Sequence, residues 1–483
     1  MISGLITPWV FLNYYGSQMN GLISSISQLI ALLVIIEAGI THATVNALYK
    51  PLAENHHRKI NGILSAANLS YKNAGYLFLL FVFITGTAYA FYIQVDFLSN
   101  PLYIIIIAFI LGANAIMEFF VAAKYRVLLA ADQRTYLIAS ASLIHTMIYT
   151  IMVVLMGTMK VNIVVLLLIS YAAIIIKPVI LVSYARRNYK YLDLKEAPDR
   201  QALHKRWDAL YLQILGTIQQ TAPIVILTVT TKNLMIVSVY TIFNMVLIGI
   251  NGLTGIFTQG LYASFGDVLA KGETGVLKKA YKEFELFYYS IIAVVFSVAF
   301  ISIMPFIQLY TKGVNDIDYN NELLGFLFVL NGLLYNLKNP QGMLVISAGL
   351  FKETKWQTTI QGIILVAVGF ALAPYYGIVG VLIGAILSNL YRDIDLLIFI
   401  PKKVTKLPIR NSVYRILGIF LVVLALYVTS SFVDVNSENI YEWVYHACMW
   451  AAFAFLVVLT LNLIFERDSF MGIVKRIGIV LKK

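Results

Sequence analysis

Seven ionisable side chains interrupt otherwise apolar runs of this 483-residue chain: Glu37, Glu118, Lys124, Lys177, Lys338, Arg392 and Asp393. A charge set among apolar residues is costly to desolvate. It therefore faces a bundle interior or a water-filled cavity, where it pairs or meets a charged ligand. Arg126 and Asp395 lie nearer the ends of their runs, where a charged head can reach the interface. The same escape is open to Lys177, Arg392 and Asp393. Lys338 is about sixteen residues from the start of its run, too deep to snorkel, and is expected to line a cavity. The excess of cations over carboxylates in this set favours an anionic ligand. Gln213, Thr217 and Gln220 recur at i, i+4 and i+7, with Gln219 beside them, and Asn244 and Asn251 repeat the i, i+7 spacing. Amides and hydroxyls on one helix face suit hydrogen bonding to a hydroxyl-rich cargo.

Other chemistries lack their residues. The single Cys448 permits no internal disulfide, and the six His show neither HxxxH nor HExxH spacing, so no metal or redox site is expected. No GxxxxGK[ST] or GxGxxG occurs, so neither ATP hydrolysis nor a nucleotide cofactor is implied. With no deep His, Asp and Ser constellation, the chain does not read as an enzyme.

The elements that must carry these residues are transmembrane helices. Sixty per cent of the chain is apolar and 12% charged, against about 45–50% and 25% in soluble proteins. Mean hydropathy is +0.81. Fourteen apolar segments follow one another: 2–15, 20–46, 73–95, 101–126, 138–159, 163–185, 208–230, 234–260, 285–309, 322–349, 356–376, 378–399, 412–432 and 440–465. Continuous runs of this kind make helices, whereas barrel strands alternate over about 10 residues. If the loops after even-numbered segments face the cytoplasm, only Lys160, Lys232 and Lys312 of the 36 Lys and Arg face out, leaving 33 inside. Asp96, Asp316, Asp318, Asp434 and Glu438 occupy the outer loops. This bias predicts a plasma-membrane protein with both termini cytoplasmic. It also accounts for the net charge of +12 without a nucleic-acid partner.

The chain divides into a six-helix bundle at 1–185, a cytoplasmic linker at 186–207, a second six-helix bundle at 208–400, and two further helices with a basic tail at 401–483. The linkers RRNYKYLDLKEAPDRQALHKRW (186–207) and DVLAKGETGVLKKAYKEF (267–284) read as basic segments, either helices on the anionic inner leaflet or simple topology determinants. The two bundles superpose in pattern at a shift near 214, with 37–60 falling on 251–274 and Pro8 near Pro223, both prolines being expected to kink their helices. Parallel repeats about an axis along the membrane normal suit alternating access. A local shift of 220 sets Lys338 opposite Glu118, so the two are expected to pair across a central cleft unless the ammonium meets an anionic cargo. The repeat also puts Lys205 and Arg206 ahead of the seventh segment, whereas nothing basic precedes Lys50. The first segment is therefore expected to lack about ten residues of a full span.

Three stretches carry a family resemblance: LNYYGSQMNGLISSISQLIALLVIIEAGITHATVNALYK at 12–50, LLAADQRTYLI at 128–138 and GLFKETKWQTTI at 349–360. With the helix order, they resemble the polysaccharide transport branch of the MOP exporter superfamily, which contains O-antigen and capsule repeat-unit flippases. The resemblance covers residues 1 to about 400 and implies an all-α, MATE-like fold of two six-helix bundles plus two C-terminal helices. It implies translocation of a polyprenyl-pyrophosphate-linked oligosaccharide from the cytoplasmic to the outer leaflet. Membrane lipids would surround the carrier, with a polysaccharide polymerase and glycosyltransferases as partners and a coupling ion of unspecified identity. A lipid II-type flippase and a cation-coupled multidrug or small-solute exporter are the alternatives on the same fold.

Overall fold

The computed structural model describes residues 2–93, 101–199, 207–433 and 437–481, and every regular element among them is helical. These residues pack as two units, 2–238 and 239–483. The first holds α1 (Ile2–Ala53), α2 (His57–Tyr92), α3 (Leu102–Met117), α4 (Ala123–Ala131), α5 (Thr135–Thr158), α6 (Ile163–Tyr171), α7 (Ile176–Asn188), α8 (Trp207–Thr231) and the start of α9 (Leu234–Gln259). The second continues from α9 through α10 (Tyr262–Ala270), α11 (Thr274–Tyr310), α12 (Glu322–Leu337), α13 (Asn339–Ser347), α14 (Lys355–Tyr376), α15 (Ile378–Ile400), α16 (Ile409–Ser430), α17 (Ile440–Phe465) and α18 (Arg467–Leu481). The protein is an all-α polytopic membrane protein.

Eleven helical stretches among the described residues are long and apolar enough to cross a bilayer, fewer than the fourteen expected segments. Three departures account for the difference. Segments 2–15 and 20–46 are the two arms of α1, which bends at Gly16, where φ is 83° and ψ 170°. That backbone region is essentially confined to glycine, so the residue type determines where the arms separate. Segment 322–349 is split into α12 and α13 at Lys338. Segment 378–399 forms α15 but crowds Arg392, Asp393 and Asp395 into about one turn.

Two further irregularities position ionisable residues. A π-helical turn, Glu118–Ala122, joins α3 to α4, and a 3-10 turn, Ala172–Ile175, joins α6 to α7 just before Pro178. Proline has no N–H for the carbonyl four residues back and its ring crowds that carbonyl. The same reasoning explains the break at Lys338, because Pro340 stands in the first turn of α13. Elsewhere the fold depends on close helix contact. A Cβ on Gly384 of α15 would lie 2.9 Å from the Gly369 nitrogen and 3.0 Å from the Leu365 carbonyl oxygen of α14, so only glycine lets these backbones meet.

The first expected linker is not helical over 189–199. It folds back onto the start of α2 instead. Asn61 donates to the Tyr191 carbonyl at 2.9 Å, Ser65 to that of Leu194 at 3.2 Å, and the Asp199 N–H to the Gly62 carbonyl at 3.0 Å. These hydrogen bonds draw the linker into turns that an amphipathic helix would not make. Residues 200–206, with Lys205 and Arg206, and also Asp96, Asp434 and the chain ends at Met1 and Lys482–Lys483, lie outside the described residues. Linker 267–284 is helical on either side of a turn at 271–273.

Candidate functional site

Each unit buries its own ionic cluster. In the first, Arg126 of α4 reaches Glu37 of α1 and Glu118 of the π turn, making an ion pair with each. Lys177 of α7 stands 3.2 Å from the second oxygen of Glu118. Thr41, one helical turn beyond Glu37, receives a further Arg126 N–H at 3.1 Å and shares a 2.9 Å hydrogen bond with the Tyr71 hydroxyl of α2. Four helices and the π turn thus contribute to a cluster of two carboxylates and two cations. The π turn matters because one extra residue per turn re-aims Glu118 and Arg126 relative to a regular helix, as such bulges do at functional sites.

The charges balance, but the guanidinium and the ammonium are held only by carboxylates and a hydroxyl. A phosphate offers the same oxygen geometry with more charge, and Arg binds it bidentately. The cluster can therefore exchange its own carboxylates for an anionic group while staying in a low-dielectric setting.

The second unit centres on the helix break at Lys338. The ammonium donates to the Asn389 side-chain oxygen and lies 4.8 Å from the centre of the Tyr335 ring. The Asn389 amide in turn donates to Asn331 at 2.9 Å. Asp393, one turn further along α15, is within electrostatic reach of Lys338 without forming an ion pair with it. Only 5% exposed, it has no hydrogen-bond partner for either carboxylate oxygen among the described residues. Close by, Asn336 donates to Asn251 at 2.7 Å, and its oxygen accepts from Thr254 at 2.8 Å and Tyr288 at 3.0 Å. An underpaired cation and an unpartnered carboxylate beside a ring of amides and hydroxyls can meet a polar ligand of mixed charge.

The expected site residues separate accordingly. Glu37, Glu118 and Lys177 come together, and the expected pairing of Glu118 with Lys338 gives way to Arg126 and Lys177 on one side and Asn389 on the other. Lys124 stands apart, donating to Asn68 at 2.9 Å. Arg392 turns from Asp393 to Asp395, one helical turn on, at 2.6 Å. Gln213 and Gln220 are exposed on α8, Asn244 is half-buried, and Asn251 joins the Asn336 network. Arg126 does not snorkel but bridges both carboxylates, because the π turn directs it inward. Its position near a helix end hides this role in the sequence, where the i+8 spacing from Glu118 is the available signal. Thr41, Tyr71, Asn336 and Asn389 carry no such signal, being unremarkable until their helices pack. The motif at 128–138 has a local role: Arg134 lies 2.6 Å from Asp132 and hydrogen-bonds Tyr184, while Tyr189 donates to Asp132 at 2.5 Å. Burial, and then the hydrogen bond to that carboxylate, push the Tyr189 hydroxyl above its ordinary pKa. Among the described residues no group of three His, Cys, Asp or Glu could hold a metal.

No protein-family model matches this sequence, and no curated protein does either. Solved structures do match in fold. The lipid II flippase MurJ in an inward closed conformation superposes with a TM-score of 0.65 at 13% identity, covering 97% of each chain. An inward-facing multidrug resistance MATE family transporter of the MOP superfamily superposes at 0.59 with 12% identity, over 89% of this chain and 96% of that one. The MATE multidrug transporter DinF-BH gives 0.56 at 13% identity, over 84% and 93%. The chain has a MATE-like fold of the kind found in MOP-superfamily transporters.

Proposed function

We propose that this protein moves an isoprenoid-pyrophosphate-linked saccharide across the membrane. The observation that carries the reading is the half-buried pair of cations Arg126 and Lys177, neutralised among the described residues only by Glu37 and Glu118 and so able to exchange those carboxylates for a pyrophosphate. Lys338 supplies a second cation beside amides and hydroxyls suited to sugar. The polymerase and glycosyltransferases named above remain part of this proposal.

Two cargoes of the class have a specific observation behind them. Coverage of 97% of both chains favours the lipid II type, because the similarity to MurJ extends further along this chain than that to the MATE transporters. The sparse arginine content of the two clusters, in which Arg126 and Arg392 are accompanied by lysines, favours an oligosaccharide repeat unit. A multidrug cargo would leave Arg126 and Lys177 facing a cation, which their charge opposes.

The test is delivery of lipid-linked saccharide across proteoliposomes containing this protein, with lipid II, a polyprenyl-pyrophosphate oligosaccharide and a cationic dye supplied in turn. Transport of either glycolipid, with little of the dye, is expected, and transport of the dye alone would overturn the reading. Lys338→Ala should slow glycolipid transport at subsaturating cargo, whereas Lys338→Arg should retain part of it, keeping the charge with a different shape. Wild-type rates in Lys338→Ala would remove this lysine from the cargo site.

A further inference from the structure

Helices α16 and α17 each pack along α11 and touch one another only sparsely. Their link to each other and to α11 is ionic. Arg415 of α16 lies 2.6 Å from Glu466, the residue just past the end of α17, and a second guanidinium nitrogen reaches the other oxygen of that carboxylate. The third nitrogen lies 2.8 Å from Glu285 of α11. Glu285 is only 2% exposed, so its charge depends on donors from the protein. It receives four: Arg415, Ser412 at 2.8 Å, Tyr281 at 3.0 Å and Gln341 of α13 at 3.1 Å. Four donors fill the acceptor sites of a carboxylate and fix its orientation.

From Glu285 the hydrogen bonds lead to the break that carries Lys338. Gln341 is buried, and its amide spends one N–H on Glu285 and the other on the Tyr289 hydroxyl at 2.9 Å. The Gln341 oxygen has no hydrogen-bond partner among the described residues, so the nitrogen alone orients this side chain. Tyr289 donates in turn to the carbonyl of Leu337, the last residue of α12, at 3.1 Å. The preceding Tyr288 accepts from Asn339, the first residue of α13, at 2.8 Å and donates to Asn336 at 3.0 Å. Two adjacent tyrosines of α11 thus hold both sides of the break, with Lys338 between them. A broken helix persists inside a membrane where its freed backbone groups find such partners. Arg415 is the far anchor of this chain, being the only cation paired with Glu285 among the described residues.

We propose that Arg415 is a positioning residue for transport: through Glu285, Gln341 and Tyr289 it sets the place of Lys338, which makes the C-terminal helices part of the scaffold of the cargo site. The proposal rests on the reading of Lys338 as a cation that meets the cargo. Arg415 itself touches no cargo. Its loss leaves the ammonium on the chain but frees the break to move, so cargo is held more weakly although the charge is still there.

Two variants of the full-length protein test this. Gln341→Met nearly keeps the volume and removes both amide hydrogen bonds. Arg415→Gln with Glu285→Gln leaves no carboxylate in the core alone, Glu466 being part-exposed. Amide hydrogen exchange over residues 334–342 should rise several-fold in each, although residue 415 lies on another helix. Unchanged exchange in either would overturn the proposal. In proteoliposomes supplied with lipid II or a polyprenyl-pyrophosphate oligosaccharide, whichever the wild type moves, each variant should raise KM about tenfold with kcat near that of the wild type. In a Lys338→Ala background the same substitutions should cost nothing further, because a residue that acts through Lys338 then has nothing to position. Equal losses with and without Lys338 would overturn the proposal and leave these residues a role in stability alone. Wild-type transport by Lys338→Ala would instead refute the cargo reading of that lysine, and with it any role of Arg415 in transport, even where exchange at the break has risen.

Discussion

Arg126 satisfies two buried carboxylates at once, so its removal does more than delete a charge. Arg126→Ala leaves Glu37 and Glu118 with only Lys177 as a cation, and breaking a buried pair in this way typically costs about 3–5 kcal/mol. The expected outcome is a large fall in melting temperature and in the yield of monodisperse protein. Neutralising all four, as Arg126→Met and Lys177→Met with Glu37→Gln and Glu118→Gln, should recover most of that stability, because a near-isosteric uncharged cluster carries no unpaired charge. The same quadruple variant should still fail in the proteoliposome assay, since neither cation remains for the pyrophosphate. Recovery of transport along with stability would assign the cluster a purely structural role. At this scale the sequence makes the ionisable residues visible, because a charge inside an apolar run stands out wherever it points. It does not show their partners. Repeat alignment matches Glu118 to Lys338, but a π turn and a proline break each rotate one member away from its place on a regular helix.

Helix irregularities therefore govern where the charges end up. Pro340 denies a donor to the carbonyl of Asn336, and the chain breaks at Lys338 between α12 and α13. Pro340→Ala should restore a continuous helix through Lys338 and raise thermal stability, as relief of an interior proline is worth up to about 3 kcal/mol. Transport should fall nevertheless, because the ammonium would leave Asn389. A variant that is both more stable and fully active would show that the break has no part in the site. Gly16 makes a matching case in α1. Gly16→Ala forces a side chain into a backbone region that costs about 1–3 kcal/mol, which thermal melting would register as a loss. Prolines and glycines are legible as letters, and their presence does mark helix breaks. Their consequences are less so. The break in α1 falls at Gly16, although Pro8 in the same helix is the expected kink. The linker 189–199 folds into turns because α2 offers it hydrogen-bond partners that no local pattern announces.

Across the whole molecule, the charge bias remains the strongest statement about sidedness. In a Cys448→Ser background, Asn315→Cys should react with an impermeant thiol reagent from outside and Lys195→Cys only after the inner face is opened. Labelling of both from the cytoplasmic side alone would refute the proposed topology. Composition and hydropathy were enough to establish an all-helical membrane protein, and three local stretches taken with the order of the helices pointed, by family resemblance, to the MATE-like fold. The first is a property of long averages: twenty apolar residues need a helix in lipid whatever their neighbours do. Tertiary structure alone decided the rest. It assigned Arg126 to Glu37 and Glu118, placed Asn389 on Lys338, left Asp393 without a hydrogen-bond partner among the described residues, and held α16 apart from α17. Each depends on a rotation of a few tens of degrees about a helix axis, or on which of several apolar faces meet. A pattern of apolar residues does not encode such choices when both lipid and neighbouring helices are apolar.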